Sequence, residues 1–268
     1  MTTQSKNALE DLHLELATLE AQQMRRQLRP ADQTEDGRIR LQGKTLLNFS
    51  SNDYLGLSRH PSVIEAAKQA AERWGAGAGS SRLISGTMDI HRQLELALAD
   101  FMQTEAALVF PTGYMANVGV ITALVQPGDA VVADRLCHAS IIDAVQLSGA
   151  RLFIYAHRDV EQAEKALRRA SGYRRRLLIT ESLFSMDGDF APLAELAVLA
   201  DRCGAISMVD EAHAIGVWGT NGRGYRFESA GGHWDIVVGT LSKALGSQGG
   251  FVCGSQTLIE TLINRARS

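Results

Sequence analysis

Hydrophobic positions along this chain fall into two regimes, separated by a glycine-rich stretch at residues 75 to 82. Before it, residues 8 to 29 read as a charged amphipathic helix that closes on Arg25, Arg26 and Arg29, just ahead of Pro30. Arg38-Ile-Arg-Leu and Thr45-Leu-Leu-Asn-Phe then read as short strands turning at Gln42-Gly43, so Gly37 to Ser50 is predicted to be a small hairpin. Pro61 stands where it can open a helix running to about Trp74. After the glycines, a helix with Leu94, Leu96, Leu98 and Phe101 leads into Ala106–Phe110, and from there short apolar runs alternate with helical stretches. The runs at 106–110, 130–133, 151–155, 177–180, 206–209 and 236–239 are predicted strands. Helices are predicted near 113–125, 139–148, 159–170 and 192–203, with another beginning near Ser255. Continuously apolar strands separated by helices indicate an α/β fold, with a parallel sheet covered on both faces.

Ligands of such sheets sit beyond the carboxyl ends of the strands, and several chemically unusual residues fall there. Asp210 and His213 follow the strand 206–209, in Val-Asp-Glu-Ala-His. Thr240, Ser242 and Lys243 follow 236–239, Ser185 follows 177–180, and His138 follows 130–133. Phe110-Pro-Thr-Gly-Tyr-Met-Ala-Asn117 is a strand-to-helix turn whose first helical N–H groups, at Gly113 and Tyr114, would face an anion such as a phosphate. The chain has five lysines among its 27 basic residues, and one of them, Lys243, ends an apolar run. An amine there can form a Schiff base, and a carboxylate there can hold a heterocyclic nitrogen protonated. Together they point to pyridoxal 5'-phosphate (PLP). Taken singly, Asp210 reads as a helix cap or turn residue, His138 and His213 as structural histidines, and Lys243 as a solvated surface lysine. Their joint placement at neighbouring strand ends reverses those readings.

Other chemistries fit less well. Gly75-Ala-Gly-Ala-Gly-Ser80 follows a helix rather than a strand, which weakens a dinucleotide reading. No phosphate loop ending in Gly-Lys-Ser/Thr and no Gly-x-Ser-x-Gly elbow occurs. Composition is that of a globular chain: 268 residues, 45% hydrophobic and 21% charged. A net charge of -3 gives no basic field for nucleic acid. The apolar runs fall short of the roughly 20 residues that span a bilayer, and the polar start does not resemble a signal peptide, so a cytoplasmic location is expected. Cys137, Cys203 and Cys253 are odd in number and widely spaced, which suits neither a disulfide framework nor a metal site.

Several long blocks in order resemble the α-oxoamine synthases, fold-type I PLP enzymes that condense an amino acid with an acyl thioester and release carbon dioxide. The blocks are Asn48-Phe-Ser-Ser-Asn-Asp-Tyr-Leu-Gly-Leu57, Ser81-Arg-Leu-Ile-Ser-Gly-Thr-Met-Asp-Ile-His91, Asp134-Arg-Leu-Cys-His-Ala-Ser140, Thr180-Glu-Ser-Leu-Phe-Ser-Met-Asp-Gly-Asp189, Val209-Asp-Glu-Ala-His-Ala-Ile-Gly-Val-Trp-Gly219 and Gly239-Thr-Leu-Ser-Lys-Ala-Leu-Gly246. The resemblance implies a large domain with a mostly parallel seven-stranded sheet sandwiched by helices. It also implies a homodimer and small-molecule substrates: an amino acid, and a thioester of CoA or of an acyl carrier protein. Two blocks are most similar to the branch that joins L-alanine to a pimeloyl thioester in biotin synthesis; the glycine and acetyl-CoA branch is the alternative.

It further implies roles. Lys243 would carry the cofactor and later shuttle protons, Asp210 would hold the ring nitrogen, and His138 would stack on the ring. His213 and Ser185 would bond its phenolic oxygen. Gly113 and Tyr114 would bind phosphate beside Thr240 and Ser242, Asn52 would orient the amino acid, and Arg25 would face the thioester's acid groups. The expected domains are residues 1–50, the helix and hairpin, and 51–268, the PLP-binding large domain. Family members continue into a C-terminal small domain on the order of a hundred residues. This chain ends about 25 residues after Lys243, so that domain is expected to be absent, which makes a catalytically silent PLP-binding fragment a further alternative.

Overall fold

The computed structural model describes residues 9–33, 37–228 and 232–267. Residues 1–8, which include the polar start and the first residue of the predicted helix, lie outside them. The chain divides into two compact units, Met1–Ser50 and Ser51–Ser268.

In the first unit, helix α1 spans Glu10–Ala21 and buries none of its side chains. It ends earlier than the predicted residue 29. Gln23 sits at φ +57°, and Met24 N–H donates to Leu19 C=O in a closing turn. The left-handed residue breaks the helical path, and the residue before Pro30 is itself steered away from helical geometry. Strands β1 (Ala31–Gln33), β2 (Arg38–Leu41) and β3 (Lys44–Leu47) form an antiparallel sheet in that order. Gln42 and Gly43 have φ of +49° and +77°, the pair of left-handed residues that a two-residue hairpin turn requires.

In the second unit, helix α2 (Pro61–Trp74) has Pro61 at its start and His60 capping Ser62 N–H. A single π-helical turn, Arg82–Gly86, precedes helix α3 (Asp89–Phe101). There follow β4 (Ala106–Phe110), α4 (Gly113–Leu124), β5 (Ala130–Asp134), α5 (Ala139–Ser148), β6 (Arg151–Tyr155) and α6 (Val160–Arg169). Then come β7 (Arg176–Glu181), α7 (Leu193–Arg202), β8 (Ile206–Asp210), β9 (Ile236–Thr240), β10 (Gly250–Gly254) and α8 (Gln256–Arg265).

The seven strands order as β4-β10-β9-β8-β7-β5-β6. β9, β8, β7, β5 and β6 pair in parallel, whereas β10 runs antiparallel to both β9 and β4. The six predicted strands form within a residue or two of their expected bounds. β10 is the strand that apolar runs do not reveal, because only Phe251-Val-Cys253 separates its flanking glycines.

Alternate residues of the central strands feed two cores. Val132, Leu178, Val209, Val237 and Phe251 pack with Leu167, Leu193 and Leu196 of α6 and α7. Val131, Leu177, Ile179, Met208, Ile236, Val238 and Val252 pack with Val120, Ile121, Ile141 and Ile259 of α4, α5 and α8. Each such side chain, wholly removed from water, contributes about 1.5–3 kcal/mol, so both faces must be apolar and no face is left for an alternating polar pattern. No helix among the described residues is long and apolar enough to cross a membrane.

Gly239 lies where β9 is tightest. A Cβ there would stand 2.4 Å from Phe251 Cζ and 2.6 Å from Ile215 Cδ1. Gly239→Ala is expected to destabilise the protein by about 1–3 kcal/mol through overpacking, measured as a lowered urea unfolding midpoint with an unchanged denaturant slope.

Candidate active site

A cavity of about 210 Å³ opens at the carboxyl ends of β4, β5, β7, β8 and β9. Thr112, Gly113, Asn117, His138, Glu181, Asp210, His213, Thr240, Ser242 and Lys243 are among its lining residues. A larger cavity of about 640 Å³ lies at the other end of the sheet, near Ile206, Asp235 and Gly254. It contains none of the residues singled out from the sequence, so the smaller cavity is the chemical one.

Each wall follows from local structure. Thr112 caps α4, its hydroxyl accepting from Met115 N–H at 3.1 Å. The Gly113 and Tyr114 N–H groups are in the first turn of a 12-residue helix, where N–H groups have no intrahelical partner. β10 approaches this turn so closely that a Cβ on Gly250 would lie 2.6 Å from Gly113 N. Thr240 Oγ is 2.8 Å from Ser242 Oγ and donates to Gly249 C=O at 2.9 Å. A helix N-terminus and two hydroxyls thus converge on one end of the cavity, the donor set that an anionic phosphate needs. Tyr114 itself turns its hydroxyl outward, to Asp143 at 3.0 Å.

At the buried end stands Asp210, the last residue of β8. Its carboxylate accepts from Asn117 Nδ2 at 2.9 Å and from Ala212 N–H at 2.9 Å. Asn117 also donates to Ser140 at 3.0 Å, while its own Oδ1 is buried without a partner. The next residue, Glu211, points the other way and is wholly buried. Ser182 Oγ donates to it at 2.6 Å, and Tyr225 and Arg226 donate backbone N–H groups. Its role is to fasten the segment after β8. Two residues further on, His213 faces the cavity again.

His213 Nε2 lies 2.7 Å from Lys243 Nζ, and its Nδ1 lies 2.7 Å from the hydroxyl of Tyr54. Burial, with the Lys243 charge added, pushes the His213 pKa down to about 4, so the ring is neutral at physiological pH. Burial also lowers the Lys243 pKa, against the opposing pull of Asp210 and Glu181, which favours the reactive amine. His138 caps α5, with Ser140 N–H at 3.2 Å from its Nδ1, and its own backbone N–H donates to Glu181 at 2.6 Å. It is both a structural cap and a cavity wall.

Glu181 and Tyr54 are two residues that motif reading does not single out. Glu181 ends β7 as the register partner of Asp210. Burial, and then the charge of Asp210, raises its pKa to about 8. Its position at a strand end beside Asp210 was the available signal. Tyr54 sits within the Asn48–Leu57 block, but nothing local says that its hydroxyl reaches a histidine 159 residues away.

Other expected residues fall elsewhere. Ser185 lies on an exposed turn closed by Gly188 N–H to Phe184 C=O, and it does not line the cavity. The Leu183–Phe190 bridge pinches this turn off the sheet and carries Ser185 outward. Asn52 is exposed and joins the group only through Tyr54, whose hydroxyl is 3.2 Å from Asn52 Oδ1. Arg25 belongs to the first unit, where it pairs with Glu20.

The sheet order and the lysine–aspartate cavity define the architecture of fold-type I PLP-dependent enzymes. The family profile for aminotransferase class I and II matches residues 44–268, and the chain belongs to that family, in its α-oxoamine synthase branch. The 8-amino-7-oxononanoate synthase of Herminiimonas arsenicoxydans is 49% identical over 263 residues, covering 97% of this chain and 68% of that protein. That of Geobacter sulfurreducens is 49% identical over 95% of this chain and 65% of that protein. Among solved structures, a serine palmitoyltransferase variant from S. paucimobilis with a bound PLP–myriocin aldimine superposes with a TM-score of 0.89 at 35% identity, covering 99% of this chain and 69% of that one. The 8-amino-7-oxononanoate synthase of Francisella tularensis gives 0.69 at 32% identity, covering 81% and 60%. The chain therefore spans about two thirds of the length of such relatives.

Beside the cavity, His157 bridges Asp134 (2.9 Å) and Asp189 (3.1 Å), and Arg158 also pairs with Asp189. Burial opposes charge on His157, but the two carboxylates outweigh it and raise its pKa above the usual 6.5. The stability this clamp contributes is fully present below about pH 6.5 and is lost as pH climbs through the raised folded-state value. The wild-type urea midpoint is thus expected to exceed that of His157→Gln at pH 6, with the gap narrowing by pH 9.

Proposed function

We propose that this chain carries the PLP-binding machinery of an enzyme that condenses L-alanine with a pimeloyl thioester, releasing carbon dioxide and the thiol, to give 8-amino-7-oxononanoate for biotin synthesis. The observation that carries this reading is the joint placement of Lys243, Asp210 and the α4 N-terminus around one cavity. The 44–49% identity to curated 8-amino-7-oxononanoate synthases supports the choice of alanine over glycine.

The residues present suit the cofactor. Gly113 and Tyr114 N–H groups and the Thr240 and Ser242 hydroxyls would hold its phosphate. Asp210 would hold a proton on its ring nitrogen, while Asn117 fixes the carboxylate's orientation. His138 would stand against the ring face, and His213 would bond an oxygen beside Lys243. When bound, the cofactor supplies an aldehyde and an electron-accepting ring. Lys243 would hold that aldehyde, and its amine would move a proton at the substrate's α-carbon. Its lowered pKa serves both tasks, because each requires an unprotonated amine near neutral pH. Asn52, at the exposed end of the Tyr54 contact, would orient the amino acid, and Arg25 would meet the acid group of the thioester substrate. Catalysis would take place in a homodimer. Leu83 and Ile84, 71% and 81% exposed on the π-helical turn, are apolar surface that a second copy would cover.

Incubation with PLP, borohydride reduction and peptide mass analysis should place a phosphopyridoxyl group on Lys243 and on no other lysine. An unmodified Lys243 in PLP-saturated protein would overturn the assignment. Turnover of alanine with a pimeloyl thioester against glycine with acetyl-CoA then separates the two branches. Labelling without turnover of either pair would identify a PLP-binding fragment. An opposite charge shifts a pKa by about 1–3 units, so Asp210→Asn is expected to lower turnover about 10- to 1000-fold, measured as kcat on PLP-saturated protein.

A further inference from the structure

Tyr54, His213 and Lys243 form a hydrogen-bonded chain whose direction follows the charge on Lys243. The Tyr54 hydroxyl is 2.7 Å from His213 Nδ1, His213 Nε2 is 2.7 Å from Lys243 Nζ, and the same hydroxyl is 3.2 Å from Asn52 Oδ1. A neutral imidazole carries a single proton, on one nitrogen or the other. While Lys243 is an ammonium it can only donate. Nε2 must then be bare, Nδ1–H donates to the Tyr54 oxygen, and the phenolic hydrogen is left for Asn52 Oδ1. All four groups are satisfied.

The opposite arrangement is also available, with the exposed Asn52 Oδ1 left to water. Once Lys243 has passed a proton to Nε2, or an anionic oxygen stands there, the imidazole donates from Nε2. Nδ1 is then bare and needs a donor. A hydroxyl is both donor and acceptor, so Tyr54 meets this need by turning its hydrogen toward the ring. Phenylalanine has the same shape and can do neither.

We propose that Tyr54 is a positioning residue that sets and reverses the tautomer of His213, and that the pair forms the outlet through which Lys243 loses a proton before it reacts. The second half rests on the PLP reading above; the first does not. The proton balance closes. One proton passes from Lys243 Nζ to His213 Nε2, one from Nδ1 to the Tyr54 oxygen, and the phenolic hydrogen leaves to water. Tyr54 is 43% exposed, so the last step has somewhere to go. The three transfers run together, because an imidazole whose pKa is held at about 4 does not retain a second proton at neutral pH. No redox partner or other reactant is required.

The test uses the cofactor-free chain labelled with ¹⁵N-histidine, with His213→Gln assigning the signal. At pH 7 wild-type His213 should give the nitrogen signature of the Nδ1–H tautomer. Tyr54→Phe should move it toward Nε2–H while leaving the thermal unfolding midpoint in place. Wild-type protein in the Nε2–H form, or a tautomer unchanged by Tyr54→Phe, overturns the tautomer assignment. In a second arm, PLP is added, and Schiff-base formation is followed by absorbance and borohydride trapping. Tyr54→Phe should slow it at least about 100-fold at pH 7, the low end for a lost proton-transfer path, with the gap closing at high pH where the amine is already free. Equal rates at pH 7 overturn the outlet. Absence of trapping in wild type would instead sink the PLP reading, and the tautomer result would still stand or fall by itself.

Discussion

Glu181 and Asp210 end neighbouring parallel strands as register partners, and both side chains are buried. Two ionised carboxylates so close together in a poorly solvated site repel each other, and each also loses hydration worth several kcal/mol. The structure offsets this in three ways. Asp210 receives two hydrogen bonds, from Asn117 and the Ala212 backbone. Lys243 provides a nearby positive charge. Glu181, with one backbone donor and a pKa raised to about 8, keeps its proton near neutrality. The negative charge of the buried end therefore rests on Asp210, beside the one lysine of the cavity lining. A cationic ring nitrogen entering such a site meets a single, well-oriented carboxylate rather than a diffuse field, and this constraint organises the rest of the site.

The sheet makes that concentration of charge tolerable. Its strands bury both faces, so polar groups can emerge only at strand ends, and the parallel order brings the ends of β7, β8 and β9 together. β10 intrudes as an antiparallel strand between β4 and β9. Glycines at 239 and 250 let it pack against Ile215 and the Thr112–Gly113 turn, where larger residues would collide. The turn that presents the Gly113 and Tyr114 N–H groups is thereby fixed by backbone contact rather than by a side chain that could rotate away.

What the sequence reveals and what it hides follow from the same physics. Short apolar runs announce strands of a covered sheet, so β4 to β9 and the residues just beyond them could be read directly, and with them Asp210, His213, Thr240 and Lys243. β10 was hidden because its three apolar residues lie between glycines whose purpose is close packing, not turning. The end of α1 falls short of the expected residue 29 because exposed helices such as α1 have no burial to fix their length. Ser185 looked like a strand-end residue by counting. The Leu183–Phe190 bridge, a pairing between residues seven apart, is what removes it. Glu181 and Tyr54 matter only through partners distant in sequence, and no local pattern carries that information.

Burial also separates the enclosed end of the site from its exposed edge. Asp210, Asn117 and Ser140 are enclosed by two cores, and changing any of them disturbs packing as well as charge. Asn52 and Tyr54 are exposed, and the hydrogen bonds that tie them to the cavity pass through the Tyr54 hydroxyl. Substitutions there leave both cores untouched. The serine palmitoyltransferase comparison shares this fold at 35% identity and a TM-score of 0.89.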